Sequence, residues 1–319
     1  MTKSKLLGIF VLIAALIFPH FASNYVKHIA ILILIWAYIS TAWAYMGRFG
    51  LVSLGHGAFL GLGAYTSALL LNGLHLTPIV GMLIGGLAAV VLALIIGYGC
   101  FRFGIIGDYF ALVTLALAEI IMLLIIAFRD STGGSLGMTI DPSIKSLFYL
   151  TSDSKIFFYY LALGFVILAI IVWRIIDHSK LYKAMKAVGE DEDAAASIGV
   201  NVIRYKLLII SISAFFTALG GTLYGQYITY LNPHTLSGVS VSLNICFNAI
   251  LGGMFNMLGP IVGAALIVLM EEIFRGLFGA RFIGGSEILY GIAIISLIIF
   301  LPKGLYGTLV ERIAKNKKE

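Results

Sequence analysis

Ten apolar stretches separated by short polar breaks set the rhythm of this chain. They run near 6–22, 28–46, 57–71, 79–101, 109–128, 156–176, 207–231, 241–256, 258–274 and 287–302. Most approach the length of about 20 residues that a helix needs to cross a bilayer. Two of them, 57–71 and 241–256, are short and polar-tinged, one in each half of the chain. Interrupted segments in paired positions point to a pathway built from broken helices. The pattern predicts an all-α, polytopic integral membrane protein with about ten hydrophobic segments, forming one transmembrane domain over 1–319. The first segment has the outline of a signal peptide, with Lys3 and Lys5 ahead of a short apolar core. Another apolar span comes directly after it in place of a soluble domain, so it reads as a span itself.

Composition agrees with this reading. Of the 319 residues, 61% are hydrophobic and 11% charged, with a mean hydropathy of +1.04. Soluble domains hold about 25% charged residues. The 36 glycines suit helices that approach closely in a membrane. Ten crossings leave both termini on one side, and the basic residues test the alternation. Fifteen of the 21 lysines and arginines fall on the side of the termini and six on the other. By the positive-inside rule, both termini are cytoplasmic. The net charge of +6 thus reflects topology. It does not indicate nucleic acid, because no basic stripe with interleaved aromatics occurs.

Two hydrophilic loops are long. Residues 129–155 face outward in this topology and contain STGGSLGM. Residues 177–206, DHSKLYKAMKAVGEDEDAAASIGVNVIRYK, face the cytoplasm. The second starts a short helix with four acids, Glu190 to Asp193, which favour the helix dipole. Gly199 is placed as its C-terminal cap. Such a helix is too polar for lipid. It is either a solvated loop or a docking element for a cytoplasmic partner.

Catalytic chemistry is poorly provided for. There is no Walker A pattern, and GHGAFLG at 55–61 misses the dinucleotide fingerprint by one residue. H-E-x-x-H and G-x-S-x-G are missing as well. The chain therefore reads as a non-enzyme that binds no cofactor of its own. Cys100 and Cys246 both lie in apolar runs and read as small buried hydrophobes.

Four features invite a sharper reading. Ser53, Gly57, Gly61, Ala64 and Ala68 follow steps of three and four, which places them on one helix face. That face lets another backbone come close, or lines a narrow pathway. His56, without acidic or histidine neighbours, is not a metal ligand; it reads as a helix-entry residue near the cytoplasmic boundary, with a modest effect expected from His56→Ala. Glu119, inside the fifth segment, is expected to face the bundle interior and to have a partner. In STGGSLGM, Thr132, Gly133 and Gly134 read either as an anion-binding nest or as a solvated turn. Glu271 and Glu272, at a segment end, read as interfacial.

Several blocks resemble one family. DAAASIG at 193–199 resembles the E-A-A-x-x-x-G coupling motif of ABC importer permeases, with Asp193 in the glutamate position. RYKLLIISISAFFTALGGTLYG (204–225), SLGHGAFLGLGAY (53–65), STGGSLG (131–137) and AILGGMFNMLGPIVGAAL (249–266) look like stretches of the LivM-type permeases of branched-chain amino acid ABC importers. The matches span most of the chain in the same order.

The resemblance implies a second homologous permease subunit, two cytoplasmic ATP-binding subunits and an extracytoplasmic substrate-binding protein. ATP is then used by the partners. Asp193, Ala194, Ala195 and Gly199 are implied to dock into a groove on an ATPase. Leucine, isoleucine and valine are the implied substrates, and the cytoplasmic (inner) membrane of a bacterium or archaeon the location. Urea and short-amide importers have closely similar permeases and stay open as an alternative. An ion-coupled secondary transporter, or a channel or structural subunit, is the rival class. It fits less well, because Glu119 is the only acid deep within a segment.

Overall fold

The computed structural model describes residues 13–140, 150, 152, 154–278, 288, 291, 292, 295 and 304–308. Over these residues the chain is mostly helical. α1 is helical over 13–21. It is followed by α2 (Asn24–Gly47), α3 (His56–Leu74), α4 (Pro78–Arg102) and α5 (Gly107–Ala127). A single turn, α6 (Arg129–Thr132), and a two-residue strand, β1 (Met138–Thr139), lead to α7 (Lys155–His178). Next come α8 (Lys180–Glu190), α9 (Glu192–Ser197), α10 (Val202–Ile228) and β2 (Tyr230–Leu231). Then come α11 (Pro233–Ser237), α12 (Val239–Gly252) and α13 (Gly259–Phe278), and residues 304–308 are helical as well.

Seven spans among the described residues are long and apolar enough to cross a membrane. They are α2, α3, α4, α5, α7, α10 and the α11–α12 pair taken as one interrupted span, Pro233–Gly252. The short segment expected at 241–256 is thus the second part of a helix broken at Gly238. Asn232 starts the first part by accepting from the His234 N–H at 2.9 Å. The segment expected at 258–274 is α13, which also bears Glu271, Glu272 and Arg275. The segment expected at 287–302 lies outside the described residues apart from four positions, as do residues 6–12 of the first and the basic tail.

Local chemistry sets the boundaries. Ser23 caps α2, its Oγ accepting from Val26 N–H at 3.3 Å. α3 ends where His75 turns left-handed, φ 53°, and Pro78 opens α4 from the N1 position that suits it. α4 inverts the order of a soluble helix. Its buried face is small (Gly81, Gly85, Ala89, Ala93, Gly97), and its exposed face is Leu83, Leu87, Val91 and Ile95. Small residues inside and large apolar ones outside are what a lipid-facing helix needs.

α3 forms the centre, packed against α4 and α10, while α10 also meets α2 and α4. The contact is closest at Gly63 and Gly221. A Cβ on Gly63 would lie 2.0 Å from Ala218 O, and one on Gly221 2.0 Å from Leu60 O. A side chain larger than hydrogen at either crossing would push the two backbones apart.

The bundle has two distinct ends. At one, the last turn of α7 meets the exit of α2, where Arg48 pairs with Asp177 at 2.7 Å; α8 and α9 lie there. At the other, β1 pairs antiparallel with β2 through Met138–Leu231 and Thr139–Tyr230. There the start of α2 meets α13, with Tyr25 Oη donating to Glu272 at 3.1 Å.

Candidate functional site

The polar loop at 177–206 folds into two short helices, and capping explains the break between them. Glu190 ends α8. The Asp191 carboxylate then accepts from Asp193 N–H at 2.9 Å and Ala194 N–H at 3.0 Å, using donors that a new helix leaves free. Gly199 takes φ 89°, and Val200 N–H returns to Ala195 O at 3.1 Å, which closes α9 with a glycine in the left-handed conformation.

The loop presents an uneven surface. Asp193, Ala194, Ser197 and Gly199 are exposed, and Ile198 is 78% exposed. Ala195 is 2% exposed. Of the four residues expected to meet an ATPase, Ala195 therefore faces the protein instead. It seats α9 against α8 and α10, because the helix repeat turns one residue in each turn inward.

Two buried cations hold this pair of helices to the bundle. Lys206, near the start of α10, pairs with Glu192 of α9 and lies over the Phe101 ring, 5.3 Å from its centroid. Arg48, just past α2, pairs with Asp177. Its guanidinium lies 4.1 Å from the Trp173 centroid and 5.4 Å from that of Tyr182 in α8. Both side chains are almost wholly shielded from water. Desolvated cations over aromatic faces gain about 2 kcal/mol each. Arg48 and Lys206 are among the fifteen basic residues on the side of the termini, and neither their burial nor their partners, 129 and 14 positions away, can be read from spacing.

The glycine-rich stretch shows a different chemistry. Ser53 precedes α3 rather than belonging to its face, because the helix starts at His56. Gly57 and Gly61 do lie on a packed face, toward the break between α11 and α12. Gly57 N–H donates to Ser242 Oγ at 2.8 Å, and a Cβ on Gly61 would lie 1.6 Å from Ser237 Oγ.

His56 does open α3, but it is fully buried, with Nδ1 3.1 Å from Ser53 Oγ and Nε2 2.8 Å from Ser213 Oγ. Ser213 spends its own proton on Ala42 O at 2.8 Å, so it accepts from His56 Nε2–H. Ser53, which accepts from Gly55 N–H, has its proton free for Nδ1. This assigns the neutral Nε2–H tautomer. The chain of hydrogen bonds ends on a carbonyl, so it is a packing node between α2, α3 and α10 and not a proton path. Trp43 and Phe59 meet the ring edge-on.

Glu119 departs from expectation. It is half-buried on the flank of α5, one residue round from the packed stripe of Thr114, Ala118 and Ile121. Among the described residues no hydrogen bond or ion pair reaches it.

The loop at 131–138 is not a nest, and it is only partly solvated, with Ser131, Ser135 and Leu136 exposed. Gly133 N–H donates to Arg129 O, Gly134 N–H to Thr132 Oγ1, and Gly137 N–H to Gly134 O, so these donors are committed within the loop. Thr132 and Gly134 are buried. Thr132 Oγ1 donates to Ile125 O at 2.6 Å, folding the loop back onto α5. A cavity of about 380 Å³ lies between α3 and α5 at this point, bordered by Tyr65, Thr66, Ile121, Leu124 and Thr132.

The chain matches the family model described as "Branched-chain amino acid transport system / permease component" over residues 25–312. It is 29% identical over 326 residues to the high-affinity branched-chain amino acid transport system permease protein LivM of Escherichia coli (strain K12), covering 95% of this chain and 75% of that protein. It is 22% identical over 278 residues to the high-affinity branched-chain amino acid transport system permease protein LivH of the same organism, covering 82% of this chain and 87% of that protein. A nucleoside ABC transporter permease protein, NupC of Lactococcus lactis subsp. cremoris, is 27% identical over 162 residues, covering 47% of this chain and 50% of that protein. No solved structure matches significantly. The order of helices, the small-residue crossings of α3 and the exposed α9 now stand beside a family match over nearly the whole chain: it belongs to the permease components of branched-chain amino acid transport systems.

Proposed function

We propose that this chain is a membrane-spanning permease subunit of an ABC importer that carries leucine, isoleucine and valine inward across the cytoplasmic (inner) membrane of a bacterium or archaeon. The end bearing α8 and α9 is cytoplasmic, as are both termini, and the β1–β2 end faces outward. A second homologous permease completes the pathway within the lipid bilayer. Two ATP-binding subunits supply the energy, and an extracytoplasmic binding protein delivers the solute. This chain binds no nucleotide of its own and contacts no nucleic acid.

The observation that supports this most strongly is α9 itself. It is a six-residue helix with Ala194 turned outward and Ile198 exposed just past its end, anchored from beneath by buried Lys206. A helix that is exposed yet tied to a long membrane helix can pass a push from a partner into the bundle. ATP-driven closure of the ATPases would move α9 and α8, and through Lys206 and Arg48 the helices α10, α2 and α7.

Reconstitution with the partner subunits tests the reading. ATP-dependent uptake of labelled leucine, isoleucine and valine is expected, together with binding of those amino acids by the partner binding protein. A binding protein that prefers urea or a short amide would assign that alternative. Uptake driven by an ion gradient without ATP would make the chain a secondary transporter.

A further inference from the structure

A second cavity, of about 490 Å³, opens at the β1–β2 end between α2, α10, the broken α11–α12 span and α13. That size is within the range of small-molecule sites. Its lining holds three charged groups, beside the imidazoles of His28 and His234. Arg275 lies 2.7 Å from Glu271 and 3.1 Å from Glu272, so two carboxylates share one guanidinium and one negative charge is left over. Glu272 is mostly shielded from water, contrary to its expected interfacial exposure. One wall is apolar: Leu32, Trp36, Val241, Ile267 and Val268. On the deeper side stands Asn248, 1% exposed, whose Oδ1 has no hydrogen-bond partner. Trp36, on the same wall, is 12 residues into α2, roughly 18 Å along that helix from its start.

A buried carbonyl oxygen without a donor is costly unless something supplies one. Ionisable groups this close to an apolar wall, within a bundle that spans a membrane, mark a solute path by default, and a broken helix beside them is the usual setting. An excess carboxylate, an orphaned acceptor and an aliphatic wall suit one class of ligand: a primary ammonium group on an aliphatic skeleton.

We propose that this cavity receives the ammonium group of a zwitterionic aliphatic amino acid. Glu271 and Glu272 hold the ammonium, Arg275 faces the carboxylate, and the Leu32–Ile267 wall takes the side chain. Asn248 Oδ1 accepts the ammonium as the solute moves deeper. The inference rests on the importer reading and names the groups of this chain that would meet its substrate. It also separates substrates: urea has no ammonium to satisfy the excess carboxylate.

The test is protection from labelling in the assembled importer in proteoliposomes. Leu32→Cys, at a half-buried position on the apolar wall, is reacted with a small maleimide; Trp36→Cys serves if the first variant does not assemble. L-Leucine and 3-methylbutylamine are expected to slow the reaction roughly tenfold at saturation, a change of about 1.4 kcal/mol. 4-Methylpentanoate, which lacks the ammonium, and urea are expected to leave it unchanged. Adding Glu271→Gln and Glu272→Gln together should abolish protection by the amine. Equal protection by 4-methylpentanoate, or none by any compound, would overturn the site. Leucine uptake by the same vesicles reports the importer reading separately: uptake without protection removes the site alone.

Discussion

Lys206 of α10 and Glu192 of α9 form an ion pair across the base of the loop, the lysine 3% exposed and the glutamate 38%. A buried cation that loses its partner is left uncompensated, which costs about 3–5 kcal/mol in a dry interior. Glu192 is partly in water, so screening reduces this to roughly 1–2 kcal/mol. Glu192→Gln should therefore lower the melting temperature of the detergent-purified chain slightly and cut ATP-driven uptake more than basal ATPase activity. Lys206→Met combined with Glu192→Gln should recover stability but not coupling. Full recovery of uptake in the double variant would show that the pair only holds the fold.

Neighbouring alanines in α9 should behave oppositely. Ala194 faces outward and Ala195 inward. Ala194→Arg should leave membrane insertion and yield intact and uncouple uptake. Ala195→Arg should lower the yield of folded protein, read by size-exclusion chromatography. Equal yields for the two would contradict the seating of α9.

Gly199 needs a left-handed backbone, and the space where a Cβ would lie is open. Gly199→Leu therefore suffers a conformational penalty of about 1–2 kcal/mol without a clash. Loosening of the end of α9 should appear as faster proteolysis of the loop, with transport impaired and the bundle still folded. Unchanged proteolysis would show that α9 closes without this turn.

Close helix crossings predict a graded series in α3. At Gly63 an added Cβ meets backbone, Ala218 O at 2.0 Å; at Gly61 it meets first the hydroxyl of Ser237. A hydroxyl can rotate and backbone cannot. Gly63→Ala should cost roughly 1–3 kcal/mol and more than Gly61→Ala, whereas Gly61→Leu should prevent packing. Thermal unfolding of the three variants tests the order, and a Gly61→Ala variant less stable than Gly63→Ala would reverse it.

His56→Ala should be far from modest. It removes two hydrogen bonds and a ring packed against Trp43 and Phe59, a loss of about 2–4 kcal/mol. Wild-type yield and melting temperature would contradict the packing role.

The sequence already revealed what repeats along it. Apolar segments located α2 to α5, α7 and α10, although the short 57–71 stretch is part of an unbroken helix of 19 residues, His56–Leu74; the acids before Ala194 located α9, and Gly199 marked its end. Interruption of the 241–256 stretch showed as a short segment because Gly238 breaks one span in two. Its one-dimensional pattern did not reveal depth or pairing. His56 looked like an entry residue because it opens a helix, yet the chain before it is itself buried. Arg48 and Lys206 looked like loop charges because their aromatic and acidic partners come from distant helices. Glu119 drew attention as a lone acid, but one residue of helix rotation moves it off the packed face. Thr132, Gly133 and Gly134 resembled an anion nest, and only the folded loop shows that their donors are already used.

Contact between α9 and an ATP-binding subunit is the most direct test of the whole account. A single cysteine replacing Ala194 is placed in the chain, and another replaces Tyr230 at the opposite end, both positions being exposed while the native Cys100 and Cys246 are buried. In the assembled importer, the cysteine at 194 should cross-link to the ATP-binding subunit, with a yield that changes on adding ATP, and the one at 230 should not. Cross-linking from 230, or its absence at 194 in a transport-active complex, would contradict the assignment of α9 as the coupling element.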